Sequence, residues 1–363
     1  MKEKIKVLQL INSMDPGGAE NLLASQLPYF NYDELEIYVG YLYGDGSLLK
    51  NRRGNYKVID FSKNTKFTYF APFRIIRFVL KNKIDIIHTH LIQASIIGRF
   101  ISFLIPNLIC VTTRHYTKAS KENRLINRLE NNTLKYSDAI ICISNYVKFY
   151  AKELGIKDEK LYLIYNGIDL SFFTPKEISN SNDKIIIGTI GRLCNQKRID
   201  IVLNSFKVIK SDYPNIELEI IGDGSNKKEL SELAHTLDIN SSVKFLGRLL
   251  PDEVREHLNT WEIFVLASQS EDFGLVLIEA MAMKKAVIST KVDAIPEVVK
   301  DGITGYLCPA NDYKKIAEKI EWFLKHKGKA IEFGKRGRER VENLFNINSK
   351  VKKLEKLYYK LSG

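Results

Sequence analysis

At 363 residues the chain exceeds the roughly 250–300 at which single hydrophobic cores tend to split, so length alone predicts two domains. A composition of 45% hydrophobic and 27% charged residues excludes long disordered or low-complexity tracts. The net charge of +12 admits nucleic acid, anionic lipid or phosphorylated compounds as partners. Residues 1–180 hold 25 Lys and Arg against 17 Asp and Glu, a net +8, so most of the excess sits in the first half.

The basic start, Met1 to Lys6, runs into an apolar stretch of seven residues, Ile5 to Ile11, too short for a signal-peptide core with a cleavage site. The longest apolar segment, Ile96 to Leu108, is interrupted by Arg99 and Pro106 and falls short of the ~20 residues that span a bilayer. Cys110, Cys142, Cys194 and Cys308 form no close pair, and the first two lie inside strand-like runs. The expectation is a cytoplasmic protein with reduced thiols.

Short β-branched runs then alternate with helical patterns, the sequence form of βαβ units and parallel sheets. In the first half the strand-like runs are Lys6–Ile11, Glu36–Leu42, Lys57–Ile59, Asp85–Thr89, Leu108–Thr112, Ala139–Ser144 and Leu161–Tyr165. A polar stretch with a proline, Ser171 to Asp183, reads as a linker. The alternation restarts with Ile185–Ile190, Glu217–Ile221, Val243–Leu246, Ile263–Ala267, Ala286–Thr290 and Gly305–Leu307. Beyond Tyr313 the pattern is helical, and Lys350 to Leu361 places Val351, Leu354, Leu357 and Leu361 on one helix face, which needs a surface to cover. Two doubly wound α/β domains result, with ligand crevices beyond the carboxyl ends of their strands.

Four segments sit where such crevices form. Ile263 to Ala282 reads as strand, polar loop, glycine and helix, with Glu271 in the loop, Gly274 at the helix start and Glu279 about two turns into the helix. Unpaired N–H groups at that start favour a phosphate. Taken alone, the two glutamates also read as solvated carboxylates. A glycosidase pair is disfavoured, since on one continuous helix they would stand about 12 Å apart, beyond the ~5–9.5 Å such pairs use. Arg192 and Lys197, just after the first strand of the second half, can converge on one diphosphate. Gly17 and Gly18 allow close backbone approach at the first helix of the chain, without the spaced glycines of a dinucleotide fingerprint. His88 and His90 end a strand and point to the same face; no cluster of further ligands accompanies them, so a metal is not expected. Phe67 to Lys83 mixes aromatics with bases and reads either as a helix touching an anionic membrane or as a core-packed helix with a charged outer face; Lys118 to Lys135 carries the same two readings.

Together these segments resemble the retaining glycosyltransferases of family 4, which have the GT-B fold: two Rossmann-like, doubly wound parallel-sheet domains facing across a cleft. The resemblance rests on Glu271 to Glu279 as E-x7-E, Gly191-Arg192-Leu193 to Lys197, Gly17-Gly18-Ala19-Glu20, His88-Thr89-His90, and Asn166 to Asp169. It implies a Rossmann-like acceptor-side domain over 1–170, a linker over 171–184, a Rossmann-like nucleotide-sugar domain over 185–345, and a helix over 346–363 crossing back to the first domain. It also implies that Glu279 holds the ribose hydroxyls, that Arg192 and Lys197 hold the diphosphate, and that backbone groups of Phe273, Gly274 and Leu275, with Glu271, meet the donor sugar and phosphate. Gly18 beside Gly17 would approach the diphosphate from the other domain, His90 would sit by the transferred sugar, and the base would pack beside Gly247-Arg248-Leu249. His90 and Glu271 thus become the catalytic candidates.

Such enzymes retain the anomeric configuration without a metal or other cofactor. The implied partners are a nucleotide-sugar donor, UDP favoured over GDP by family frequency, and a saccharide or lipid-linked acceptor in envelope polysaccharide synthesis. Peripheral contact with the inner face of an anionic membrane is the accompanying expectation. A sugar-nucleotide epimerase of the same fold is the nearest rival reading. A nucleic-acid-binding protein is suggested by charge alone and lacks a recognition module.

Overall fold

Alternation of apolar runs with amphipathic segments produces two parallel sheets in the computed structural model, which describes residues 3–15, 17–49, 53–62, 70–117, 124–176 and 184–363. Residues 67–69 of the aromatic and basic segment, 118–123 of Lys118 to Lys135, and 177–183 of the polar stretch lie outside the described residues. The chain divides into two units, residues 1–169 with 346–363, and residues 170–345.

In the first unit, β1 (Ile5–Ser13), α1 (Gly18–Gln26), β2 (Leu35–Tyr43), β3 (Tyr56–Asp60), α2 (Ala71–Asn82), β4 (Ile86–His90), α3 (Ile92–Leu104), β5 (Ile109–Arg114), α4 (Arg124–Thr133), β6 (Ala139–Cys142), α5 (Asn145–Glu153) and β7 (Leu161–Leu163) follow in order. Their strands pair in parallel as β3-β2-β1-β4-β5-β6-β7. Strand order reverses between β1 and β4, so the crevice of this unit opens beyond Ser13 and His90. Period-two alternation sends Leu8, Leu10 and Ile87 to the face covered by α2 and α3, and Val7, Ile11 and Ile86 to the other. A buried Arg99–Glu130 pair (2.8 and 2.9 Å) ties α3 to α4.

In the second unit, β8 (Ile185–Ile190), α6 (Ile199–Lys210), β9 (Ile216–Ile221), α7 (Lys227–Thr236), β10 (Val243–Gly247), α8 (Pro251–Thr260), β11 (Ile263–Leu266), α9 (Leu275–Ala282), β12 (Ala286–Thr290), α10 (Ile295–Val298), β13 (Tyr306–Cys308), α11 (Tyr313–Lys325) and α12 (Lys327–Leu344) follow. The parallel order is β10-β9-β8-β11-β12-β13, reversing between β8 and β11. Residues 171–176, whose composition reads as the start of a linker, are packed here. Phe172 and Phe173 stack edge to face at 5.0 Å, Arg338 donates to the Phe173 carbonyl (2.6 Å), and the Lys176 amide bonds Asn259 (2.9 Å). Two aromatic side chains anchor a stretch whose average polarity hides them.

The last helix, α13 (Ile347–Ser362), belongs to the first unit, where Val351, Leu354, Leu357 and Tyr358 complete the core face opposite α2 and α3. No helix among the described residues is long and apolar enough to cross a membrane. Cys110, Cys142 and Cys308 are buried, Cys194 is partly exposed, and none is in a disulfide.

Candidate functional site

In the second unit the loops after β8 and β11, the strands flanking the switch point, are joined by an ion pair. Lys197 Nζ bonds Glu271 Oε2, with the side chains 14% and 15% exposed. Backbone and amide contacts fix both loops: the Gln269 N–H donates to Gln196 O (2.8 Å) and Gln196 Nε2 to Ser270 O (2.9 Å). Asp293 accepts from the Glu271 amide (2.9 Å) and from the Ser270 hydroxyl, so the β12–α10 loop braces the site from below. Lys197 lies along Gly191, 3.4 Å from where a Cβ would stand. Arg192 is exposed and makes no side-chain bond among the described residues.

Gly274 caps α9 with φ 88° and ψ 60°, a left-handed conformation open to glycine, and a Cβ there would lie 2.9 Å from Leu277. This turn delays the helix to Leu275. Glu279 stands just over one turn in, rather than the two read from sequence, and Glu271 lies in the loop, as its position in the sequence predicts. No side chain caps α9, and the buried ring of Phe273 packs on Phe345 (5.6 Å), leaving backbone groups of Phe273, Gly274 and Leu275 as the ones able to meet a ligand. Glu279 is partly exposed and its carboxyl group bonds no described residue; desolvation pushes that carboxyl up to about 7. Gly247, φ 72°, ends β10 and brings Arg248 and Leu249 two strands from β8. Gly222 locks the intervening loop: its N–H donates to Gly247 O (2.7 Å), and a Cβ on it would strike Gly191 O at 1.9 Å.

In the first unit the structure brings together residues that spacing alone leaves apart. Gln9, from the middle of β1, donates Nε2–H to the Tyr358 hydroxyl (2.8 Å) and accepts from His90 Nε2 (2.9 Å). Tyr358 in turn donates to His88 Nδ1 (2.5 Å), whose Nε2–H reaches Thr113 (2.7 Å). With the Gln9 amide so oriented, His90 Nδ1 is an acceptor, and it takes the Nε2–H of His115 at 3.3 Å. His115 Nδ1 is left as the open end of the chain of bonds. Burial holds all three imidazoles neutral, with His115 lowered to about 3. Both ring nitrogens of His88 are committed, so His88 is the packed member of the pair and His90 the one nearer the crevice. Leu91 follows at φ 65° and ψ 169°, a region otherwise used by glycine, which costs about 1–3 kcal/mol and marks this turn as strained. Gly17 caps α1 in the turn after β1, the strand beside β4, where the Glu20 carboxylate lies 2.3 Å from the position a Cβ would take and would have to move for any side chain; Gly18 opens the helix.

Gln9, His115 and Tyr358 were missed by the sequence reading. Gln9 breaks an apolar run at mid-strand, which was the available signal; His115 and Tyr358 carry none.

Two family models match the chain, Glycosyl transferases group 1 over residues 172–340 and Glycosyltransferase Family 4 over residues 16–172. N-acetyl-alpha-D-glucosaminyl L-malate synthase of Bacillus anthracis is 29% identical over 303 residues, 77% of this chain and 75% of its own. The capsular polysaccharide biosynthesis glycosyltransferase CapM of Staphylococcus aureus is 32% identical over 204 residues, 56% of this chain and 52% of its own. Among solved structures, Anabaena HepE in complex with UDP-glucose matches with a TM-score of 0.85 at 20% identity, over 98% of this chain and 100% of that one. Sucrose-phosphate synthase from Thermosynechococcus elongatus matches at 0.84 and 20%, over 99% of each. The shared fold is GT-B.

Proposed function

We propose that this chain, which belongs to the group 1, family 4 glycosyltransferases, moves a sugar from a UDP-sugar to a saccharide or lipid-linked acceptor in cell-envelope polysaccharide synthesis, with retention at the anomeric carbon. The observation that carries the reading is Glu279, an unpartnered carboxyl group four residues beyond the uncapped start of α9, in the unit whose switch point holds Lys197 and Arg192. Glu279 accepts from the ribose hydroxyls, while Arg192, Lys197 and the first amides of α9 take the diphosphate in place of a metal. The acceptor oxygen attacks on the face from which the diphosphate leaves; the sugar–phosphate C–O bond breaks as the new one forms, and the acceptor's proton passes to the departing phosphate oxygen. Glu271 orients Lys197, and His90 bears on the sugar.

A thermal-stability screen of nucleotide sugars tests this. UDP-N-acetylglucosamine and UDP-glucose come first, because the Bacillus relative is named for an N-acetylglucosaminyl product and the Anabaena structure holds UDP-glucose. At 100 times its dissociation constant a donor adds about 2.7 kcal/mol to the folded state. A chain stabilised by no UDP-sugar, or by GDP-sugars alone, refutes the donor assignment.

The membrane part of the reading draws on α2, α3 and α4, with α3 in contact with the other two. Phe73 (68% exposed), Phe103 (78%) and Leu125 (79%) stand out among exposed Arg77, Lys81, Lys83 and Arg128. Flotation with phosphatidylglycerol vesicles is expected for the wild type and to be lost in Phe73→Asp/Phe103→Asp; equal flotation of both proteins, or of neither, removes this part.

A further inference from the structure

The first unit carries a largely buried lysine whose amino group no described residue answers. Lys350, at the end of the first turn of α13, is 8% exposed, and its ammonium makes no hydrogen bond or ion pair with any described residue. Desolvation alone draws it down to about 7, with no carboxylate acting on it. Glu355, the nearby acid of the same helix, accepts from the Asn31 amide at 2.6 Å and serves the other side.

The placement of Lys350 is fixed from both ends of α13. The Ile347 N–H donates to Ile168 O (3.0 Å), beyond the carboxyl end of β7, so the first turn of α13 stands at the carboxyl ends of the strands. Two turns later on the same face, Tyr358 bonds Gln9 and His88 at mid-sheet. Lys350 lies between these anchors, on the helix that covers the sheet face carrying His88 and His90; behind burial, its ammonium also lowers the three imidazoles His88, His90 and His115. The open Nδ1 of His115 is thus accompanied by a desolvated ammonium, at the crevice end of β4 and β5.

We infer that Lys350 and His115 bound an oxyanion subsite in the first unit, which takes a carboxylate or phosphate group carried by the acceptor. Lys350 supplies the charge, and His115 Nδ1 accepts from a hydroxyl next to that group. The donor's diphosphate has its own cations, Arg192 and Lys197, in the second unit. The inference rests on the first unit being the acceptor side.

Calorimetric titration of the full chain with inorganic phosphate, malonate and UDP, at constant ionic strength, tests it in wild type, Lys350→Met and Arg192→Ala/Lys197→Ala. Lys350→Met is expected to bind phosphate and malonate at least about tenfold more weakly with UDP binding unchanged, and the double variant to lose UDP but keep both small anions. Phosphate binding that survives Lys350→Met, or that disappears with Arg192 and Lys197 instead, overturns the subsite, as does a wild type that binds neither anion. Should Lys350→Met not fold, the wild type still decides. His88, His90 and His115 stay neutral, so malonate affinity falls about tenfold per pH unit above 7 as the ammonium deprotonates, and a flat profile to pH 9 refutes the role of Lys350. Failure of UDP to bind wild type would instead strike the proposed function.

Discussion

Replacing Lys197 by alanine is expected to lower the transfer rate by about two to three orders of magnitude, the cost of removing one preorganised group from developing negative charge. The same change strands Glu271, 15% exposed, without its cation. Breaking a buried pair costs about 3–5 kcal/mol, and partial exposure places this one at the low end or below. Adding Glu271→Gln to Lys197→Ala should therefore restore most of the stability in urea unfolding and none of the activity. A double variant that transfers sugar at the wild-type rate would show that Lys197 only balances Glu271.

Glu279→Gln should move binding and stability in opposite directions. A neutral amide in place of the carboxylate gives up charge-assisted hydrogen bonds, so UDP affinity is expected to fall about 100-fold by titration calorimetry. The carboxyl rises from 4.5 to about 7 on folding, so the native state holds the proton over that window more than the unfolded chain does. Stability therefore drops as pH rises from 4.5 to 7, by about 3 kcal/mol in all. The glutamine variant escapes this loss: it should be more stable than wild type at pH 8 by up to that amount and nearly equal at pH 4. Lower stability at pH 8 would mean that Glu279 has a structural partner, and the ribose role would lose its support.

Strand positions were legible because parallel strands buried on both faces read as apolar runs of the right length, and every run from Lys6–Ile11 to Gly305–Leu307 falls on a strand. The positions of Arg192, Lys197, Glu271 and Gly274 after strands β8 and β11 followed from the same reading. What stayed hidden depends on contacts between distant residues. The partners in the Lys197–Glu271 pair are 74 residues apart, and the polar network joins β1 to α13 across 349 residues. Gly274 was legible as the helix start, while the left-handed conformation it adopts there was not, because a glycine permits that geometry without announcing it. The polar stretch after Asp169 was read from its average composition, which masked Phe172 and Phe173.

The membership of α13 in the first unit also dictates the order of assembly. A ribosome that has finished residue 345 has made every residue of the second unit, while the first still lacks Val351, Leu354, Leu357 and Tyr358 from its core and the hydroxyl that joins Gln9 to His88. The half synthesised first is thus completed after the second, and its slow, long-range closure waits for α13. A nascent chain stalled before α13 should show a protease-resistant second unit beside a first unit that is still cut.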